Sequence, residues 1–286
     1  MSKAFPTYLG PYRLVSPVHT GTRTRIWQAL HEATGQSVAL KTLLDDYQNQ
    51  RRYVGYLRWE YRVGQTVQSP RIIQIYQFDY DRGVPYLAME WFAGATMRTR
   101  IRQGGEMLRA LLPKIVVQAT EAVAEFNARG WVHRDIKPEN FLVADNGDVK
   151  LIDLALARRT RGLLARWLAP RCKPQGTKSY MAPEQIRGRP LDERADLYSL
   201  ACTLYELVAG QPPFTASGVK QLLSKHLLSP PPDLRAANPH ATPEFAQLIG
   251  WALAKRPAQR PRSTEQFYQR VRQTPVLCGV APYGGP

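Results

Sequence analysis

Cysteine is scarce in this chain: Cys172, Cys202 and Cys278 are an odd, scattered set with no CxxC spacing. That argues against a disulfide framework or a zinc site and for a reducing, cytoplasmic setting. The first residues, "MSKAFPTYLG", lack the apolar core of a signal peptide. Long apolar runs are missing as well. The most apolar stretch, "LYSLACTLYELVAG" (197–210), is too short for a membrane span and contains Glu206. Acid is in short supply: 23 Asp and Glu stand against 39 Lys and Arg, a formal net charge of +16. The imbalance is concentrated, since residues 155–190 hold nine Lys/Arg and Glu184 as their single acid. Such a balance suits nucleic acid, anionic membrane or acidic protein, or is a generally basic surface. No basic run is interleaved with aromatics in the way that stacks bases, so nucleic acid ranks below acidic protein. There is no internal repeat, and the sequence does not indicate an oligomeric state.

What is present is a chain of 286 residues, 44% hydrophobic and 22% charged, enough to bury a sizeable core in one large domain or two lobes. The first 90 residues read as strands. "YRLVSPV" (12–18), "TRIWQAL" (24–30), "SVALKTL" (37–43), "IIQIYQFDY" (72–80) and "PYLAMEW" (85–91) are β-branched and aromatic runs parted by turns such as "EATGQ". A helix is predicted over about 47–68. From about residue 96 the period becomes helical. Residues 112–130 form one predicted helix, with Pro113 near its start and Gly130 past its end, and 195–209 form another, closed by Gly210. Thr242-Pro243 opens a third, and Ser263 with Gln266 makes a capping box for a fourth. The Pro/Gly-rich end, 273–286, reads as disordered.

Two stretches carry chemistry. "VHRDIKPEN" (132–140) puts a carboxylate, a lysine and an asparagine within six positions, and "DLALAR" (153–158) follows. Moving a phosphoryl group requires cations around its oxygens and a carboxylate near the attacking hydroxyl. Asp135 is the candidate base, and Lys137 a cation for the migrating group. Asn140 and Asp153 are hard oxygen ligands suited to Mg²⁺ or Mn²⁺. Lys41 ends the strand "VALK", and Glu60 in the predicted helix could fix it as an ion pair.

These motifs resemble the eukaryotic-like (Hanks-type) Ser/Thr protein kinase family, especially its bacterial branch. "VALK", "HRDIKPEN", "DLA", "GTKSYMAPE", "DLYSLA" and "RPAQRP" follow one another in the family's order. The resemblance implies an α+β, bilobal fold over residues 10–272. A β-rich lobe to about residue 90, a hinge at about 90–95 and a helical lobe over 96–272 would precede the tail. It implies an enzyme that transfers phosphate from ATP, with Mg²⁺ or Mn²⁺, to Ser or Thr of protein substrates; Lys137 with Thr177 resembles that subclass, and the excess of Lys and Arg over 155–190 suggests substrates of acidic character. It also implies that Met89 is the gatekeeper and that Glu90 and Phe92 offer backbone groups to adenine. Val18, Ile26, Ala39 and Leu142 would sandwich the ring, and Gly21 would belong to the phosphate loop. Asp196 would brace the catalytic loop, Arg260 would pair with Glu184, and Arg134 would meet a phosphorylated residue.

The pattern breaks in places. The loop "HTGTRT" (19–24) keeps Gly21 but has His19 and Thr24 for the family's other glycines, which should loosen a backbone phosphate cradle. Arg23 and Arg25 either compensate by charge or are solvated. Leu154 can fill the slot of the usual Phe, while Ala155 replaces a glycine. Gly64 stands where the family has an apolar side chain, which leaves a gap or calls for a compensating neighbour. Between Thr160 and Thr177 there is no hydroxyl residue. There "GLLARWLAP" (162–170) could be a loop on its own lobe or a helix beneath the Glu60 helix, acting as a switch. The alternative to an active enzyme is a pseudokinase scaffold with weak nucleotide binding.

Overall fold

The computed structural model describes residues 7–160 and 175–284. Chain contacts define two compact units, Met1–Ala93 with Asp153–Ala155, and Gly94–Ile152 with Leu156–Pro286. Strands dominate the N-terminal part and helices the C-terminal part, an α+β fold.

The first unit is one antiparallel sheet of β1 (Tyr8–Leu9), β2 (Tyr12–Thr20), β3 (Thr24–His31), β4 (Ser37–Leu43), β5 (Ile75–Asp81) and β6 (Val84–Glu90), in the order β1-β2-β3-β4-β6-β5. Alternation sets its two faces. Trp27, Ala29, Val38, Leu40, Tyr86 and Ala88 join Leu9 and Tyr12 in a buried cluster on one face. The intervening residues Ile26, Ala39, Lys41 and Met89 take the other, with Ile26 opposite Lys41 and Ala39 opposite Met89. The predicted helix is α1 (Arg51–Gly64), shorter at both ends than 47–68, and it buries Leu57, Glu60, Val63 and Gly64.

Gly64 has its compensating neighbour. A Cβ built there would stand 2.7 Å from Ile75 Cδ1 and 2.9 Å from Ile75 Cβ. The branched side chain from β5 fills the space that the helix leaves open. Gly64 is also the last residue of α1, not an interior one, so its backbone cost is smaller than the interior position implies. The 162–170 segment lies outside the described residues.

The second unit begins with β7 (Ala95–Thr96), α2 (Met97–Gln103) and α3 (Gly105–Ala128). Pro113 is in the interior of α3, because the helix starts at the Gly104-Gly105 pair and not at residue 112. Then come β8 (Trp131–Val132), β9 (Phe141–Val143), β10 (Val149–Leu151), β11 (Arg158–Arg159) and a short helix α4 (Pro183–Ile186). In α5 (Glu193–Ala209) every residue from Ala195 to Val208 is buried, as for a helix packed on all sides. Gly210 ends it in the left-handed conformation, φ 77°. There follow α6 (Val219–Leu228), α7 (Leu234–Ala237), α8 (Pro243–Ala252) and α9 (Thr264–Gln273). Thr242 Oγ1 caps α8 by accepting from Phe245 N–H at 3.1 Å. Ser263 caps α9 at Gln266 N–H, 3.0 Å, but Gln266 returns its side chain to the Arg262 N–H at 2.7 Å rather than to that of Ser263.

The end of the chain departs from the predicted disorder. Val276 and Leu277 are each 1% exposed, and Cys278 N–H donates to His240 O at 2.8 Å. Two aliphatic side chains find a buried site beside residues 240–242, and that outweighs the flexible composition around them.

Two outcomes are expected. Gly64→Ala should destabilise the protein by about 1–3 kcal/mol through its clash with Ile75, against the usual helix preference for alanine. Urea unfolding should show that Gly64→Ala costs less in an Ile75→Ala background, which removes the Cδ1 and Cγ1 contacts, than in the unaltered protein. The second concerns His226 in α6, fully buried against Phe214 with Nδ1 2.9 Å from Tyr198 Oη. Burial pushes its pKa down to about 4, and nearby Lys255 adds to this. Below about pH 6.5 the unfolded chain takes up a proton that the folded protein refuses until about pH 4. Stability therefore falls as pH drops through that window, by up to about 3 kcal/mol from this group. His226→Phe should show a shallower loss between pH 7 and pH 4.5 by urea unfolding.

Candidate active site

In the first unit β4 places Lys41 so that its Nζ is 2.8 Å from Glu60 Oε2 on α1 and 3.0 Å from Asp153 Oδ1. Glu60 is buried, while the Asp153 side chain is 39% exposed. Burial works against the Lys41 charge, but Asp153 and Glu60 outweigh it and hold the ammonium above its ordinary pKa. Burial also lifts the Glu60 carboxyl upward, against the pull of Lys41 and of the Leu154 N–H 3.3 Å from Oε1. Removing one partner of such a pair leaves an uncompensated buried charge, at about 3–5 kcal/mol. Asp153 has φ 65°, a left-handed conformation worth roughly 1–3 kcal/mol of strain for a non-glycine residue. The Lys41 contact on one side and the fully buried Leu154 on the other hold it there. Ala155 is not among the residues with positive φ, so its Cβ is accommodated in this conformation.

Of the residues expected around a nucleotide, Ile26, Ala39 and Met89 share the Lys41 face of the sheet. Val18 is 54% exposed and sits where the β2–β3 register shifts, off the regular ladder. Glu90 ends β6; its N–H is committed to Gln74 O at 2.9 Å and its carboxylate accepts from Gln74 N–H at 3.2 Å. Phe92 follows in the same unit, whereas Leu142 belongs to β9 of the second. His19 lies within β2 and Thr24 within β3, so the turn itself is short, closed by Gly21 N–H to Thr24 O at 2.9 Å. Gly21 does not adopt a positive φ, and an added Cβ would meet only ordinary contacts from 3.6 Å. Arg23 and Arg25 are not simply solvated: each guanidinium lies 5.3 Å from a ring centroid, Tyr53 and Trp27 respectively.

In the second unit the loop after β8 is fixed from beneath. Asp196 of α5, fully buried, accepts from His133 N–H at 2.6 Å, Arg134 N–H at 2.8 Å and Asn127 Nδ2 at 2.8 Å. Burial pushes its carboxyl upward, and these donors and the His133 ring oppose the push. Arg134 is held at φ 73°. Asp135 then receives four donors. Its Oδ2 accepts from Lys137 Nζ at 2.7 Å and Asn140 Nδ2 at 3.3 Å, and its Oδ1 from Thr177 N–H at 2.8 Å and Thr177 Oγ1 at 3.0 Å. Lys137 Nζ also reaches Thr177 Oγ1, 2.9 Å. Asn140 spends its Nδ2 on Asp135 O, 2.7 Å, so its amide oxygen is the end left for a cation. Gly176 is required: at φ 119° a Cβ would stand 2.8 Å from Arg134 O.

Glu184 and Arg260 form a two-pronged buried pair at 2.7 and 2.9 Å, and Arg260 also donates to Arg194 O and Ala254 O. One residue had no signal in the sequence. Arg98 of α2 donates to Glu139 at 2.9 Å, and to Glu206 of α5 and Tyr180 Oη, tying four segments of this unit together. Its partners are 41 to 108 positions away, and no local pattern marks it.

The sequence model described as protein kinase domain matches residues 12–271. The chain is similar to a probable serine/threonine-protein kinase of Streptomyces coelicolor, 30% identical over 262 residues, covering 90% of this chain and 39% of that protein. It is 32% identical over 266 residues to serine/threonine-protein kinase PknD of Mycobacterium tuberculosis, covering 91% of this chain and 39% of the relative. It is 30% identical over 270 residues to PknA of Mycobacterium tuberculosis, covering 93% and 61%. The chain thus spans less than two thirds of the length of these relatives. With the match running from β2 to α9 through every element that carries the charged groups, the chain belongs to the protein kinase domain family.

Proposed function

We propose that the chain transfers the terminal phosphoryl group of ATP to Ser or Thr hydroxyls of protein substrates. The observation that carries this reading is the Lys41–Glu60–Asp153 cluster. A lysine is held charged and aimed by two carboxylates, although burial works against its charge. A scaffold that only keeps the shape has no need to maintain that arrangement against its desolvation cost.

In this reading Lys41 holds ATP phosphate oxygens. Asp135, its carboxylate oriented by Lys137 and Thr177, accepts the proton of the attacking hydroxyl, which would take the place of one of these donors. Lys137 neutralises charge on the migrating group. Asn140, through its amide oxygen, and Asp153 would each ligate Mg²⁺ or Mn²⁺. No group of three His, Cys, Asp or Glu side chains clusters as metal ligands among the described residues. The remaining ligands of such an ion would be water and substrate phosphate. The bound ion would supply positive charge to the phosphate oxygens. Ile26, Ala39, Met89 and the Glu90–Phe92 backbone would hold adenine with Val18 and Leu142, and Gly21 would lie over the phosphates. Arg134, Asp196, Glu184 and Arg260 support the loop.

One observation favours the alternative, a pseudokinase with weak nucleotide binding. The β2–β3 turn keeps Gly21 alone where three glycines would let backbone N–H groups approach phosphate. We weigh it as a penalty on affinity, since the charged groups are intact. Substrates are proposed to be acidic near the target hydroxyl. Besides the excess of Lys and Arg over 155–190, the Glu206 carboxylate is buried against Arg98 and is not on offer to a basic peptide.

In a radiolabelled ATP assay, Lys41→Met and Asp135→Asn should each lower phosphate transfer at least about a hundredfold. Losses below about tenfold, or an inactive unaltered protein, would favour the scaffold. Phosphoamino-acid analysis should show Ser or Thr. Peptide-library phosphorylation should favour Asp and Glu and weaken with salt; a preference for Arg would remove the acidic-substrate reading.

A further inference from the structure

A cavity of about 540 Å³ opens in the second unit between α4, the start of α5 and the turn after α8. Its charge is one-sided: Arg187, Arg189, Arg194, Lys255 and Arg256 line it, against the single carboxylate of Glu184. That carboxylate is consumed by Arg260, and Arg194 is matched by Asp192 at 2.7 Å. Arg187, Arg189 and Arg256 are exposed and have no ion-pair partner among the described residues. Lys255 is half-buried. Its Nζ lies 4.1 Å from the Phe214 ring centroid and donates to Lys225 O at 3.3 Å, and no carboxylate compensates it. Pro190, Pro257 and Ala258 complete the lining with apolar surface.

Three arginines without ion-pair partners among the described residues line one cavity, more positive charge than one carboxylate can occupy. A phosphoryl group carries close to two negative charges and three acceptor oxygens, and arginine forks match it in pairs. The cavity is several times larger than a bare phosphate ion, and its apolar lining has no use for one. We infer that this cavity is a docking site for a phosphorylated peptide segment, with the phosphoryl group on Arg187, Arg189 and Arg256 and flanking residues against Pro190, Pro257 and Ala258. Arg187, Arg189 and Arg256 are distinct from the groups assigned above to phosphoryl transfer. The site would retain a segment that has already been phosphorylated, and binding there does not require the chain to be catalytic. An anion next to Lys255 also offsets the burial that pushes its pKa down to about 8.

The test is fluorescence anisotropy of the unaltered chain with a short, otherwise neutral labelled peptide carrying one phosphoserine. Parallel arms use the unphosphorylated peptide, its glutamate version, and inorganic phosphate as competitor. Saturable binding is expected, at least about tenfold tighter than for the unphosphorylated peptide and weakening as salt rises. Combined Arg187→Ser, Arg189→Ser and Arg256→Ser should weaken it about tenfold or more while thermal melting stays unchanged. Each of these side chains is exposed, so the variant retains its packing. Wild-type affinity in the folded variant, or no saturable binding to the unaltered chain, overturns the proposal. Equal affinity for the glutamate peptide overturns the phosphoryl assignment, and displacement by equimolar inorganic phosphate overturns the peptide one.

Discussion

A carboxylate buried inside α5 decides where the reactive side chains of the second unit stand. Asp196 spends its oxygens on two consecutive backbone N–H groups and one amide. Hydrogen bonds to a charged group contribute about 1.5–3 kcal/mol each, enough together to hold Arg134 in a left-handed conformation it would otherwise leave. The hold extends outward. Asn127 accepts from Thr264 Oγ1 at 2.7 Å, so the first residue of α9 is tied through α3 to the loop. The loop conformation then directs Asp135 towards Lys137, Asn140 and Thr177 at hydrogen-bonding distance. Replace Asp196 and the strained Arg134 loses the buried anchor of its N–H.

The first unit uses the same physics with the signs exchanged. There the buried centre is a lysine, and two carboxylates carry it. A fully buried charge is costly alone and tolerable in a network, so each such group makes its neighbours obligatory. This is why the substituted glycines and the retained charges deserve unequal weight in reading function. Ala155 sits in the described conformation without positive φ, and Leu154 is buried where an aromatic ring would be. Those changes alter mobility and close approach. They do not remove a charge from the phosphoryl-transfer inventory.

Much of this was legible in the sequence because it is local or strongly patterned. The five long strands, the caps at Ser263 and Thr242, and the left-handed stop at Gly210 follow from alternation and from single-residue chemistry. Motif order carried the charged groups. What stayed hidden depends on contacts distant along the chain. Ile75 fills the space beside Gly64 from a separate strand, and no feature of "RVGQ" announces it. Val276 and Leu277 are buried inside a segment whose glycine and proline content argued for disorder. The start of α3 was misplaced because Pro113 read as a first-turn residue, when the Gly104-Gly105 pair before it marks the real boundary.

Arg98 shows how such a hidden contact changes a chemical conclusion. The sequence places Glu139 one residue from Asn140 and Glu206 in the most apolar stretch of the chain, and both could be taken for negative charge open to a cationic partner. In the fold Glu206 is 2% exposed, and Arg98 with Tyr180 occupies it, Tyr180 Oη donating at 2.5 Å. Burial is the chief reason that the Tyr180 phenol is pushed far upward, with the Glu206 carboxylate adding to it, so this hydroxyl stays a donor at any working pH. Of the two carboxylates Glu206 is internal, whereas the Glu139 side chain is 44% exposed, and the single charge of Arg98 offsets one of the two. Among the described residues near it, the positive charge is partly exposed: Lys178 stands next to Thr177, and Arg187 and Arg189 follow α4. Bases that face water beside a buried carboxylate attract anions to this surface, whatever the net charge elsewhere on the molecule.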